Sequence, residues 1–380
     1  VTALPHEAYL ACMAGLPWVG PVTLRRLAGL GPVERTWSRL LRGQVPTEVL
    51  PPVSVGAAAL VRSWARAAGE VDPSRHWDEL RAAGVGVTSL GSPGYPAALT
   101  EDPDPPVVLF HLGNPSVVAA PCVAVVGTRR PTGYGREVAH TLGAGLSALG
   151  VCVVSGLALG IDAAAHAGAV GGGAPVAPPV AVVGAGLDAP CPSANRPLAR
   201  RVAASGMVCS EVPLGVPAAP WRFPVRNRIV AALARVVVVV ESGATGGSMS
   251  TVEHALRRDR TVLAVPGPVG APTSEGTNRL IADGAGVCTG VDDVLAALGR
   301  DVAPPGRGSR PALSAPSGLA GRLLDLLGWR PETPDHLVRV SGADPRAVAR
   351  AVEQLVEVGL VVRRGGFVER CAGPAPDRPT

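Results

Sequence analysis

The sequence predicts an α/β fold, with a parallel sheet covered on both faces, a helical region ahead of it and a small tail of three helices and a hairpin behind it. Three observations carry this. Six short Val-rich runs, CVAVVG (122–127), VCVVSG (151–156), VAVVGAG (180–186), GMVCSE (206–211), RVVVVVE (235–241) and RTVLAVPG (260–267), alternate with helical patterns. Uninterrupted apolar strands of this kind belong to parallel sheets buried on both sides. Most of the runs end at Gly, Ser or Glu, which gathers small and polar residues at the carboxyl ends of the strands, where ligands of such sheets bind. Finally, a Pro/Gly/Ser stretch, DVAPPGRGSRPALSAP, separates this region from the tail.

In chain order, residues 1–90 read as a helical domain. Leu16, Val19, Val22, Leu24 and Leu27 recur at helical spacing around LPWVGPVTLRRLAGLG, broken by Gly20-Pro21. Two readings fit that turn: a helix-hairpin-helix-like (or SAM-like) module whose amides bind a nucleic-acid backbone, or a plain helical packing unit. Residues 75–91 read as a helix leading into a strand, and 91–300 as the core. Residues 163–187 hold no Asp, Glu, Arg or Lys, but Gly171–Gly173, Pro175, Pro178 and Pro179 break any long helix, so a loop into a short strand is expected rather than a membrane span. After the linker at 301–316, residues 317–370 read as helix, helix, helix and a hairpin across Gly365-Gly366, with Ser341 or Asp344 capping the third helix. That order resembles a winged helix. A disordered tail is expected at 371–380.

A chain of 380 residues is long enough for two or three domains. Its surplus of +5 and pI near 9.0 are mildly basic. All 35 basic residues are arginines, so each basic contact can be a planar, bidentate phosphate donor. Seven cysteines are scattered without a CxxC pair, which suits buried thiols in a reducing cytoplasm rather than a disulfide scaffold or zinc site. The start lacks a basic segment before its apolar residues and carries Glu7 within them, so no export signal is read and a cytoplasmic protein is expected.

The stretch WRFPVRNRIVAALARVVVVVESGATGGSMSTVEHA, opening at Trp221, carries the most information. Arg222, Arg226 and Arg228 crowd the start of an apolar helical pattern that runs from Ile229 to Ala234, and no acid lies between Glu211 and Glu241. A helix N-terminus is already partly positive, so this arrangement calls for an external anion, most simply a phosphate chain. VAVVGTRRPTGYG (123–135) adds a strand-to-helix turn whose amides at Gly127–Arg129, with Arg129 and Arg130, can cradle phosphate. The glycine-rich 243–248 loop and the Gly-Thr-Asn turn with Asn278 and Arg279 offer further donors at helix starts.

Other chemistries fail on local context. VAVVGAGLDA (180–189) matches G-x-G-x-x-A, but Pro190 and Pro192 stand where a dinucleotide site needs a long helix, leaving Asp188 as a loop anchor. The 243–248 loop lacks the Lys of a P-loop. Asp162 and His166 share a helical face without further ligands, so a neutral His hydrogen-bonded to Asp162 is expected and no metal. The remaining histidines are isolated, and no Ser–His–Asp set is read.

FPVRNRIVAALA, SGLALGIDAAAHAGAV, GGSMSTVEHAL, AVPGP and EGTNRLIADGA together resemble, in order across roughly 90–300, the DNA-processing protein A family (DprA, also called Smf). The resemblance implies an extended Rossmann-like core with a mixed sheet. It also implies a homodimer that binds single-stranded DNA, delivers incoming DNA to the RecA recombinase during natural transformation and displaces single-strand-binding protein. It implies no enzyme and no cofactor. Carried over by motif, Gly127, Thr128, Arg129, Ser155, Gly156, Phe223, Arg226, Asn227, Arg228, Gly247, Ser248 and Asn278 would line the DNA site, with Phe223 stacking a base. Two departures touch its loops: Cys191 stands where an aromatic is usual, and Gly247-Ser248-Met249 replaces Ser-Gly-Ser-Leu. The alternative is a nucleotide phosphoribohydrolase-like enzyme, which GATGGSMSTVEHA resembles loosely, with Glu253 as the catalytic carboxylate.

Overall fold

The computed structural model describes residues 4–53, 56–171, 176–189, 192–299, 318–327, 331–357 and 360–370. The linker expected at 301–316, the tail at 371–380 and Cys191 lie outside these residues.

Five helices open the chain: α1 (His6–Ala14), α2 (Pro21–Ala28), α3 (Val33–Leu41), α4 (Ala57–Gly69) and α5 (Pro73–Ala82). Their starts follow local chemistry. Pro21 and Pro73 occupy first-turn positions where a missing N–H costs nothing, and Asp72 accepts from the Ser74 amide 2.9 Å away. Met13, Leu27, Leu40, Trp64 and Leu80 form their shared core, which runs on without a break into Phe110, Ala181, Val183 and Val208 of the sheet. The N-terminal helices are therefore packed on the core.

The sheet elements follow: β1 (Gly86–Ser89), α6 (Ala97–Thr100), β2 (Val108–Gly113), β3 (Cys122–Val126), α7 (Gly133–Ala148), β4 (Cys152–Ser155), α8 (Ile161–Ala169), β5 (Val180–Val183), α9 (Arg196–Ser205), β6 (Met207–Ser210), α10 (Arg222–Leu233), β7 (Val236–Val239), α11 (Ser248–Leu256), β8 (Thr261–Ala264), α12 (Glu275–Ala282), β9 (Gly286–Val287) and α13 (Val291–Ala297). The nine strands run in the order β1-β2-β6-β5-β4-β3-β7-β8-β9. All neighbours from β6 to β9 are parallel, while β1 and β2 form an antiparallel extension on β6. The six Val-rich runs are β3 to β8, and the 75–91 reading is α5 and β1. The strand period of two sorts their side chains: Ala124, Val154, Val182 and Val237 face the layer of α10 and α11, whereas Val123, Val153, Val236 and Val238 face α7, α8 and α13.

β2, whose VLFHLG was not read as a strand, and the two-residue β9 enlarge the sheet beyond the sequence reading. Helix α10 is the larger correction. It begins at Arg222 rather than near Ile229, so Arg226 and Arg228 lie beyond its first turn. Adjacent β3 and β7 mark the point where the strand order reverses, and the crevice outside their carboxyl ends is where such sheets bind ligands.

The tail contains α14 (Leu319–Leu327), α15 (Pro334–Ser341), α16 (Pro345–Glu357), β10 (Val361–Arg364) and β11 (Phe367–Arg370), around Leu323, Leu337, Val352 and Val368. This is the expected winged helix. Asp344, not Ser341, caps α16, accepting from the Ala347 amide at 3.1 Å. Gly365 and Gly366 turn the hairpin with φ of 56° and 84°, a backbone that side chains resist.

Candidate nucleic-acid interface

Four segments distant in sequence meet at the carboxyl edge of the sheet. The β3–α7 loop is tied to the end of β7 by the Thr128 amide donating to the Glu241 carbonyl at 2.7 Å. The Glu241 carboxylate, buried, accepts from the Thr132 amide at 2.9 Å and its hydroxyl at 2.6 Å. The β4–α8 loop joins them through the Ile161 amide, which donates to the Thr128 carbonyl at 3.2 Å. From α10, Arg226 reaches the Val182 carbonyl, and Asn227 donates to Ser250 Oγ at 2.9 Å on α11. Gly156 lets this happen, because a side chain there would collide with the Arg226 guanidinium. Helices α8, α10 and α11 all open at this edge without a side-chain cap, which leaves their positive ends to other partners.

Within the crevice the sequence-derived residues separate into exposed and buried sets. Arg129 and Gly247 are exposed, and Gly127, Thr128, Gly156, Phe223 and Asn227 are half-buried. The Arg129 guanidinium lies 4.9 Å from the centre of the Phe223 ring, stacked on an aromatic face. Among the described residues no carboxylate pairs with Arg129 or Arg130. Ser155, Ser248, Arg226 and Arg228 are buried. Ser155 Oγ donates to the Val125 carbonyl at 2.7 Å and Ser248 Oγ to Ser242 Oγ at 2.8 Å, so both hydroxyls hold the loops together. Asn278 spends both ends of its amide on Gly267, at 3.0 and 3.2 Å, and shapes the AVPGP turn.

The expected demand for an external anion at three arginines is corrected for Arg228. Arg228 pairs with Glu211 at 2.6 Å and Asp104 at 2.9 Å. Asp104 also binds Arg25, and neighbouring Asp102 forms a buried pair with Arg258 at 2.6 Å. The EDPDP segment is thus an internal clasp for Arg25 of α2, Arg228 of α10 and Arg258 in the turn after α11. Burial lowers the Arg226 guanidinium, with Asp162 opposing and Arg129 reinforcing the shift. Burial in turn raises the Asp162 carboxyl against the pull of Arg226. Arg222, partly exposed, donates to the Pro217 carbonyl and stacks on Trp221.

Asp162 does not bond His166. Its carboxylate accepts from the Gly156 amide at 3.1 Å, whereas His166 Nε2 meets the Val180 carbonyl at 3.1 Å. Burial drives His166 down to about 4, so it is neutral as expected. Asp188 does anchor a loop, accepting from the Gly215 amide at 3.0 Å. The sequence reading missed Glu241, Asp102 and Asp104; an acid closing the Val run of β7 was the one local signal for Glu241.

Residues 86–299 match the family described as DNA recombination-mediator protein A, and residues 307–355 match the DprA winged helix domain. The chain belongs to the DprA/Smf family. The putative DNA processing protein DprA of Mycobacterium tuberculosis is 35% identical over 371 residues, covering 94% of this chain and 92% of that protein. The structure of DprA from Streptococcus pneumoniae aligns with a TM-score of 0.63 at 32% identity, over 78% of this chain and 98% of that one. A second structure, of DprA from Helicobacter pylori, concerns that protein's single-stranded DNA binding mode; it aligns with a TM-score of 0.50 at 29% identity, over 56% of this chain and 95% of that one. All four crevice segments fall inside the DprA match, and α1 to α5 precede it. No described helix is long and apolar enough to cross a membrane.

Proposed function

We propose that this member of the DprA/Smf family binds single-stranded DNA in the crevice at the carboxyl edge of its sheet, protects incoming DNA and loads RecA onto it during DNA uptake. The same reading carries a homodimer and the displacement of single-strand-binding protein. The observation that carries it is Arg129, an exposed guanidinium without an acidic partner among the described residues, stacked on Phe223 beside uncapped helix starts. Cations and amides hold a phosphate chain, and an aromatic face accepts any base, which suits sequence-tolerant binding. The Helicobacter pylori relative supports the ligand class.

No reaction is assigned. Glu253, the carboxylate of the hydrolase alternative, is exposed on α11 and makes no side-chain hydrogen bond or ion pair among the described residues. Fluorescence anisotropy with labelled oligo-dT and a duplex of equal length tests the proposal. Tighter binding to oligo-dT is expected; equal or tighter duplex binding would move the DNA site to the winged helix.

A further inference from the structure

A cavity of about 710 Å³ opens beside the crevice, between the α1–α2 turn and the carboxyl ends of β5 and β6. This size lies within the usual range for small-molecule sites. Its wall is largely apolar, with Leu16, Val183, Val225 and Ile229 among its residues. Trp18 and Trp221 also line it, yet remain 64% and 56% exposed. Trp18 is held at φ 64°, a left-handed backbone that a bulky residue adopts only when its surroundings impose it. An exposed indole fixed in that way is a presented surface rather than part of a core.

The polar groups point to the occupant. Arg226 belongs to both the crevice, where it packs on Gly156, and the cavity. Its Nε is buried and has no hydrogen-bond partner among the described residues, although the same side chain donates to the Val182 carbonyl. A buried, unspent donor of a charged group is costly unless a ligand takes it up. Arg222 stacks on Trp221 at 4.8 Å and adds a second cation. Glu211, the one acid lining the cavity among the described residues, is already held by Arg228 at 2.6 Å.

A nucleotide unit matches this set, since its base offers flat apolar faces and carbonyl acceptors while its phosphate stays near the cations. We propose that the cavity is a base-receiving subsite, formed jointly by the N-terminal helices and the core, which takes an unstacked base of the strand bound in the adjacent crevice. Trp18 and Trp221 supply the stacking surfaces, Arg226 Nε donates to the base, and Arg222 faces the neighbouring phosphate. The α1–α2 turn, read from sequence either as a nucleic-acid contact or as plain packing, thereby has a role in recognition. The subsite rests on the single-strand reading above.

The test compares dT20 with an abasic strand of equal length, using the full chain, a Trp18→Ala/Trp221→Ala variant and a Trp18→Phe/Trp221→Phe variant, each checked by thermal melting. The alanine variant should lose roughly 5- to 150-fold in affinity for dT20 per stacked base and nothing for the abasic strand. The phenylalanine variant should recover most of the loss. Unchanged dT20 affinity in the alanine variant, or equal loss on both strands, would overturn the subsite and leave the cavity to an apolar side chain of a protein partner. If the wild-type chain binds neither strand, the single-strand reading itself falls, and the subsite with it.

Discussion

Arg226 and Arg228 stand two positions apart on α10 but serve different ends. Arg228 is a structural cation locked between Glu211 and Asp104, and Arg226 borders the crevice. Truncating Arg228 would strand the buried Glu211, whose carboxyl burial already pushes upward against the pull of Arg228. Arg228→Ala should therefore cost about 3–5 kcal/mol in urea denaturation, the usual penalty for breaking a buried ion pair. The local stretch made all three arginines look unpaired, because Asp104 lies far back in the sequence and Glu211 precedes an intervening loop. Arg258 and Asp102, 156 positions apart, were equally hidden. His166 gives a pH signature. Its folded value near 4 lies below the ordinary 6.5, so its contribution is complete above pH 6.5 and is lost as the pH falls toward 4. Up to about 3 kcal/mol is at stake for a shift of that size. Asp162, raised by burial, works in the opposite direction. The wild-type minus His166→Gln difference in stability, measured from pH 7 to 4, should isolate the histidine; a pH-independent difference would count against a buried neutral ring.

At the level of elements, the crevice depends on how closely the helices approach one another. Helices α7 and α8 meet through glycine: a side chain at Gly143 would strike the Ala165 carbonyl, and one at Gly168 the His140 carbonyl. These contacts hold α8, and hence the β4–α8 loop with Gly156, against the β3 side of the edge. Gly168→Ala should cost at least about 1–3 kcal/mol, the range for overpacking a tight contact. Calorimetry showing an unchanged melting temperature would mean that the helices do not touch there. The strands β3 to β8 were legible because burial on both faces leaves an unbroken apolar run. β9 was not, since its two residues are exposed and carry no pattern. The early start of α10 was hidden by Pro224 in its first turn and by Trp221, a poor cap, before it.

For the whole molecule, the glycine-bearing turns after β3, β4 and β7 predicted where a ligand would sit, and the topology brings those turns to one edge around the β3/β7 reversal. What the sequence could not convey was the division of labour there, with serines and Asn278 spent internally and Arg129 left open. The N-terminal helices continue the core of the sheet, so they border the site rather than hang from it. The central claim is that a phosphate backbone lies against the exposed arginines of the β3–α7 loop. Its most direct test is the salt dependence of oligo-dT affinity for the wild-type chain and an Arg129→Ala/Arg130→Ala variant. Binding should weaken, and the slope of log K against log salt should become shallower by about 1.4, roughly 0.7 for each phosphate that is no longer neutralised. An identical affinity and slope in the two proteins would contradict the claim.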